Sequence, residues 1–239
     1  MVYKEIIERL TAAGDEAQAR HLCRFFKTGP GEYGEGDRFL GVRVPQTREI
    51  VSHLKTDVSE DDVLVLTASP YHEVRLAGFF SLIEIYKRVK RRKGNCHGVI
   101  NLYLSLIDRG NNWDLVDVVA PKILGDYLVS HRDERYLLYE LAAMAGSLWH
   151  QRVAMVSCFT LISQGEYDDA LRLAEGFLSH RHDLMHKASG WMLREIGKRG
   201  GEAELRRFLD LYHRRMPRTM LRYAIERLPE DDRRRYMAK

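Results

Sequence analysis

A nearly constant spacing between a few positions constrains this chain more than any other feature. Arg75-Leu76-Ala77 opens one helical pattern, Arg152-Val153-Ala154 opens another, and Lys187-Ala188-Ser189 sits similarly in a third. Trp113 lies 38 residues after Arg75 and 39 before Arg152, and a further 39 residues reaches Trp191. A helix-pair repeat of about 40 residues is the mark of a HEAT-like solenoid. One pair cannot bury its apolar side alone, so pairs stack into an α-α superhelix with a continuous core and a concave surface. Equivalent positions of successive repeats line one face. Trp113, Asp117, Arg152 and Trp191 are therefore expected to share it.

The rest of the chain agrees with an all-α fold. Ile6, Ile7 and Leu10, then Ala17, His21, Leu22 and Phe25, recur at helical spacing. Thr28 to Arg38 is rich in glycine and reads as a flexible loop. Phe39-Leu40-Gly41-Val42-Arg43-Val44-Pro45 leads into a helix, with Pro45 placed for its first turn. Ser59 and Asp62 open another in the manner of a capping box. A long amphipathic helix runs from His72 to Lys90 and finishes in the basic run Lys87 to Lys93. Cations there suit the helix dipole, and they also suit a phosphate. Helical patterns follow over 95–108, 112–120, 121–130, 134–145, 148–163, 167–179, 183–198, 202–212 and 217–227. No run of alternating β-branched residues interrupts them. The expectation is a single repeat domain over 1–239, with 28–38 as its flexible loop.

Composition bounds the setting. Apolar runs are short and broken by charge, which excludes a bilayer span, and the N-terminus lacks the apolar core of a secretory signal. Cys23, Cys96 and Cys158 are far apart and odd in number, which fits a reducing cytoplasm better than a disulfide framework or a zinc site. A net charge of +4 permits nucleic-acid binding without demanding it. His182 and His186 stand one helical turn apart near His180, but no cysteine or carboxylate completes a metal shell, so neither metal nor cofactor is expected.

Asn111 to Pro121 reads as one helix with its own start and stop. Asn111 or Asn112 can cap it, and Pro121 ends or restarts it. Trp113 and Asp117, four apart, stack on one face. A carboxylate in so apolar a segment is costly unless something pairs with it or uses it. Arg152 is one candidate partner, while Asp114, in the first turn, reads as a dipole-stabilising acid.

Phe39-Leu40-Gly41-Val42-Arg43-Val44-Pro45-x-x-Arg48, Trp113-Asp114-x-Val116-Asp117, Trp149-x-x-Arg152-x-Ala154 and Lys187-Ala188-x-Gly190-Trp191-x-Leu193-Arg194-Glu195 together resemble the AlkD-like DNA alkylation repair family. The motifs keep their order and spacing over roughly residues 20–225. The resemblance implies a HEAT-like solenoid with a concave DNA-binding face, and a DNA glycosylase that excises alkylated purines without flipping the base into a pocket. Carried over by position, Asp117 is the catalytic carboxylate, Trp113 and Trp191 line the site against the DNA backbone, and Arg152 is the arginine beside them. Phe25 stands where the family's pattern has a tyrosine.

The chemistry suits those residues. An N3- or N7-alkylated purine is already cationic and leaves without a general acid, while the deoxyribose becomes oxocarbenium-like. A carboxylate stabilises that charge and positions water, indole faces add cation–π attraction, and an arginine holds a phosphate in register. Hydrolysis without strand cleavage is expected, by a monomer in the cytoplasm, nucleoid-associated in a bacterial cell. Arg43, Arg48, Lys187 and Arg194, with Arg214, Arg215, Arg218 and Arg222, are expected to follow the duplex. Two other readings remain open: a non-catalytic DNA-structure-binding protein of the same fold, and a helical-repeat scaffold for protein partners. The joint presence of Trp113, Asp117 and Arg152 favours the enzyme.

Overall fold

The computed structural model describes residues 1–238. They are all-α, with no strand among them beyond an isolated bridge between Arg38 and Tyr71. None of the helices in that range is long and apolar enough to cross a membrane. The chain divides into two compact units, Met1–Val119 and a second that begins at Ala120.

The first unit holds α1 (Val2–Ala12), α2 (Glu16–Phe25), α3 (Val44–Leu54), α4 (Glu60–Thr67), α5 (His72–Arg91), α6 (His97–Ser105) and α7 (Trp113–Val119). Ser59 caps α4 as its spacing predicts: the Asp62 N–H donates to Ser59 Oγ at 3.2 Å, and the Ser59 N–H returns a bond to Asp62 Oδ2 at 3.0 Å. Asp62 also accepts from the Tyr3 N–H at 3.0 Å, which ties α1 to α4.

The amphipathic reading of α5 gives way to a different one. From His72 through Ile83 every residue is buried, polar ones included, so this half of α5 is the central helix of the unit. A helix apolar nearly all round belongs inside. Its His72, Glu73 and Arg75 must therefore be satisfied by the protein. Glu73 accepts from the N–H groups of Leu40 (2.9 Å), Gly41 (2.9 Å) and Val42 (3.2 Å).

That clamp explains the Phe39–Pro45 motif. Gly41 has φ +86°, and a Cβ on it would lie 2.0 Å from the Asp15 carbonyl oxygen at the start of α2. Only glycine permits both the conformation and the approach. Gly41→Ala should destabilise the first unit by about 3 kcal/mol or more, combining left-handed strain with backbone overlap. A fall in the chemical-denaturation midpoint is the measurement, and an unchanged midpoint would refute the account.

The second unit contains α8 (Leu124–Ser130), α9 (Tyr136–Ala143), α10 (Leu148–Ser163), α11 (Asp168–Gly176), α12 (Asp183–Lys198), α13 (Glu202–Tyr212), α14 (Arg218–Ala224) and α15 (Glu230–Met237). Pro121 falls in a short 3-10 turn, Ala120–Lys122, that separates α7 from α8. Helices α10 and α12 form the centre, with Val153, Met155, Leu161, Met185, Met192 and Ile196 fully or almost fully buried. Gly190 lets α14 come close to α12: a Cβ there would meet the Met220 carbonyl oxygen at 2.4 Å. Helix α15 escaped the sequence pattern because Tyr236 is its one buried residue, so no apolar stripe marks it.

Candidate functional site

Helix α7 turns one stripe outward. Leu115, Val116 and Val119 are buried, whereas Trp113 and Asp117 are partly exposed and stack at i, i+4 as their spacing predicts. The two asparagines ahead of the helix divide the work. Asn112, fully buried, accepts the Trp113 N–H on its Oδ1 at 2.9 Å. Asn111 turns away into a polar cluster beneath.

Aromatic rings surround Trp113. Its centroid lies 6.0 Å from Phe25 at 67° and 5.4 Å from Phe26. Phe25, at 54% exposure, leaves an apolar edge beside the indole open to solvent. The rings border a cleft of about 400 Å³ within the first unit, lined by Phe25, Phe39, Val44, Pro45, Trp113 and Val118 among others. On the other side Asp117 acts on Tyr103. Burial, reinforced by the Asp117 charge, pushes the Tyr103 phenol far above its ordinary range.

Beneath Trp113 lies a charged cluster that sequence reasoning missed. His72 Nε2 is 2.9 Å from Asp114 Oδ2, and His72 Nδ1 is 3.1 Å from Asp37 Oδ2. Arg75 donates to Asp37 Oδ1 at 2.6 Å, to Asn111 Oδ1 at 2.8 Å and to the Ser69 carbonyl at 3.0 Å. Asn111 Nδ2 also donates to Asp37 Oδ1, at 2.8 Å. His72, Asp37, Arg75 and Asp114 are all buried. Burial alone would lower the His72 pKa, but the Asp114 charge and the hydrogen bonds to Asp114 and Asp37 win and raise it to about 9. The ring therefore carries both protons at neutral pH, and each N–H faces a carboxylate. Burial pushes the Asp37 carboxyl up, yet His72, Arg75 and Asn111 together hold it below the usual value. Two anions and two cations balance.

Two expectations change here. Asp114 is more than a dipole acid, because it anchors the first turn of α7 to α5 through His72. The glycine-rich loop has a fixed end: Gly31 and Gly36 supply turns at positive φ, and the loop delivers Asp37 into the cluster. The sequence signals were faint, since the charges at 37, 72, 75 and 114 are far apart and each resembles a surface residue.

In the second unit Arg152 is 4% exposed and donates to the Leu184 carbonyl, joining α10 to the first turn of α12. Trp191 is partly exposed on α12, its ring 5.8 Å from Phe159. Lys187 and Arg194 share the same flank of α12, but both hold acids: Lys187 pairs with Asp183 at 2.8 Å, and Arg194 with Glu226 and Glu195. Arg215 lies 5.8 Å from the Tyr212 ring centre, and Arg218 donates to the Met237 carbonyl, while Arg214 and Arg222 are exposed. In the first unit Arg43 and Arg48 are exposed, the latter with its guanidinium 4.5 Å above Phe80. His180, His182 and His186 are used locally: His180 meets Gln151, His182 caps α12 through the Leu184 N–H, and His186 meets the His180 carbonyl.

A model of the DNA alkylation repair enzyme family matches residues 6–228, nearly the whole chain. The chain belongs to that family. A solved structure described as a predicted DNA alkylation repair enzyme from Enterococcus faecalis shares 15% identity at a TM-score of 0.72, covering 91% of this chain and 97% of that one. At that identity the likeness establishes the fold alone, an all-α helical repeat. Comparison with curated proteins gives no significant match.

For this DNA alkylation repair family member, the family motifs and the local geometry divide cleanly. Gly41, Asp114, Gly190 and Glu195 have structural partners that account for them. Trp113, Asp117 and Trp191 present surface to solvent from well-packed helices.

Proposed function

We propose that this family member is a monofunctional DNA glycosylase that hydrolyses the N-glycosidic bond of N3- and N7-alkylated purines in duplex DNA, as the first step of base excision repair. The observation that carries this reading is the outward Trp113–Asp117 stripe of α7, partly exposed, with Trp113 beside Phe25, while the helix is anchored in the buried cluster. A carboxylate held on a rigid helix has little reorganisation left to do when positive charge appears in front of it.

The leaving base carries a positive charge from the alkylation, so bond cleavage needs no proton donor. Asp117 stabilises the oxocarbenium-like sugar and orients water to its C1′, the water adding a hydroxyl there and the carboxylate taking the proton. The Trp113 face adds cation–π attraction and keeps bulk water from the sugar. From the second unit, Trp191 is assigned a contact to the DNA backbone, with Phe25 supplying an apolar contact in place of a phenol. The phosphate contact expected of Arg152 is not assigned to it, because that side chain is buried and bonded to the Leu184 carbonyl, where it joins α10 to the helix of Trp191. The proposed reaction uses no amine nucleophile: it is hydrolysis alone, without strand cleavage. We assign it to a cytoplasmic monomer that needs no metal.

The direct test is base release from a duplex carrying a single N7-alkylguanine, and then one carrying N3-alkyladenine. Release from either supports the reading. Failure with both, while the duplex is bound, would favour a non-catalytic DNA-structure binder. Duplex affinity should fall steeply with salt, with a log–log slope of roughly −0.9 per phosphate neutralised. Arg43→Gln with Arg48→Gln should make that slope shallower by up to about 2. A flat salt dependence in the parent protein would rule out duplex binding through these cations.

A further inference from the structure

We propose that His72, 2% exposed at the floor of the cleft, is a positioning residue for the proposed reaction: pinned between Asp37 and Asp114, it sets the direction in which α7 presents Trp113 and Asp117. The inference rests on the glycosylase reading for its kinetic consequence and on the free protein's geometry for everything else.

Contacts converge on His72 from every element around it. Asp114 comes from the first turn of α7 and Asp37 from the end of the Thr28–Arg38 loop. Arg75, one turn further along α5, supplies the second positive charge. Glu73, its neighbour on α5, is turned to the N–H groups of residues 40–42 and leaves the ring alone. The imidazole also packs against two phenyl rings, Phe26 at 4.9 Å and Phe39 at 4.7 Å, whose own centroids lie 5.3 Å apart. Phe26 then lies 5.4 Å from Trp113. His72 thus reaches Trp113 by two routes, through Asp114 along the backbone and through Phe26 by packing.

A short helix needs such a support. α7 has seven residues, too few to hold its own direction by helical hydrogen bonds alone. Its first residue is Trp113 and its second is Asp114. Fixing the second fixes the indole beside it and, one turn on, the Asp117 carboxylate. One Asp114 oxygen, Oδ1, is buried without a hydrogen-bond partner, so the single bond from His72 to Oδ2 is the anchor. When His72 loses its proton, one of the two carboxylates facing it must lose its donor. The orientation of Trp113 then becomes a function of that proton, whereas a purely packing role would not depend on it.

The experiment uses the full-length protein labelled with 5-fluorotryptophan. It has three tryptophans, and Trp113→Phe assigns the resonance of interest. The Trp113 fluorine signal should titrate between pH 7 and 10, and the titration should vanish in His72→Gln while the Trp149 and Trp191 signals stay in place. Single-turnover excision by His72→Gln should fall roughly 10- to 100-fold, with the duplex concentration for half-maximal rate little changed, since a small misplacement of reacting groups costs rate before binding. A Trp113 signal that neither titrates nor differs in His72→Gln would overturn the proposal, and so would unaltered excision. If the parent protein releases no base, the glycosylase reading fails by itself and the fluorine comparison alone decides the positioning claim. If His72→Gln does not fold, Asp114→Asn replaces it in both arms, keeping the side chain's shape and removing its charge.

Discussion

Asp117→Asn is expected to lower single-turnover base release by roughly 10²–10³-fold, the loss typical of removing one preorganised electrostatic group, with duplex affinity nearly unchanged. Asn keeps the size and shape of the side chain, removes its charge and exchanges one acceptor oxygen for an amide donor. Because Asp117 is partly exposed on a helix whose other side is packed, the fold should tolerate the change, and thermal unfolding should match the parent protein. Asp114, three residues earlier on the same helix, is the internal control. It is buried against His72, so Asp114→Asn should be felt in stability and in the position of α7. Two carboxylates of one short helix thus have opposite signatures, one kinetic and one structural. Equal excision by Asp117→Asn and the parent would remove Asp117 from the chemistry. Equal loss of both excision and folding would mean that it is a structural acid.

Much of the architecture was legible because helices announce themselves by period and by caps. The patterns at 148–163, 183–198 and 202–212 coincide with α10, α12 and α13 to the residue: α12 and α13 are amphipathic, and α10 is a longer, largely buried run bounded by Ser147 and Gln164. Ser59 and Asp62 closed their capping box as spaced. The places where reading failed share one cause, which is pairing across long sequence separations. His72 looked like the polar start of an amphipathic helix; its partners are 35 and 42 residues away, and no local pattern records them. Asp37 looked like the tail of a loop and is instead an anchor. The site residues themselves were legible only as a stripe: i, i+4 spacing put Trp113 and Asp117 together, and the structure agrees. What the sequence could not reveal is the support beneath them, because a buried ion cluster is written in the same letters as a solvated surface.

The largest stability effect should come from that support. Asp37→Ala removes the acceptor shared by Arg75, Asn111 and His72, leaving the buried Arg75 guanidinium without its carboxylate and His72 with Asp114 alone. Breaking a buried pair by deleting one partner costs about 3–5 kcal/mol, so local protection against hydrogen exchange in α5 and α7 should drop by roughly two to three and a half orders of magnitude, as roughly 1.4 kcal/mol is tenfold. The pH dependence gives an independent check with a defined sign. His72 is raised from 6.5 to about 9, so its contribution is complete below about 6.5 and disappears as the pH climbs through 9. A displacement of that size corresponds to roughly 3 kcal/mol. Asp37 is held below its ordinary 3.8, so its contribution is present above that pH and is lost as the pH falls through its lowered pKa. The parent protein should therefore show maximal protection of α5 and α7 between about pH 4 and 6.5, with an alkaline decline that His72→Gln abolishes. Hydrogen exchange read by mass spectrometry, corrected for the intrinsic pH dependence of exchange, measures this segment by segment. Protection of α5 and α7 that is flat from pH 6 to 10 in the parent protein would show that the His72 proton is not held by the cluster, and the positioning role assigned to His72 would fall with it.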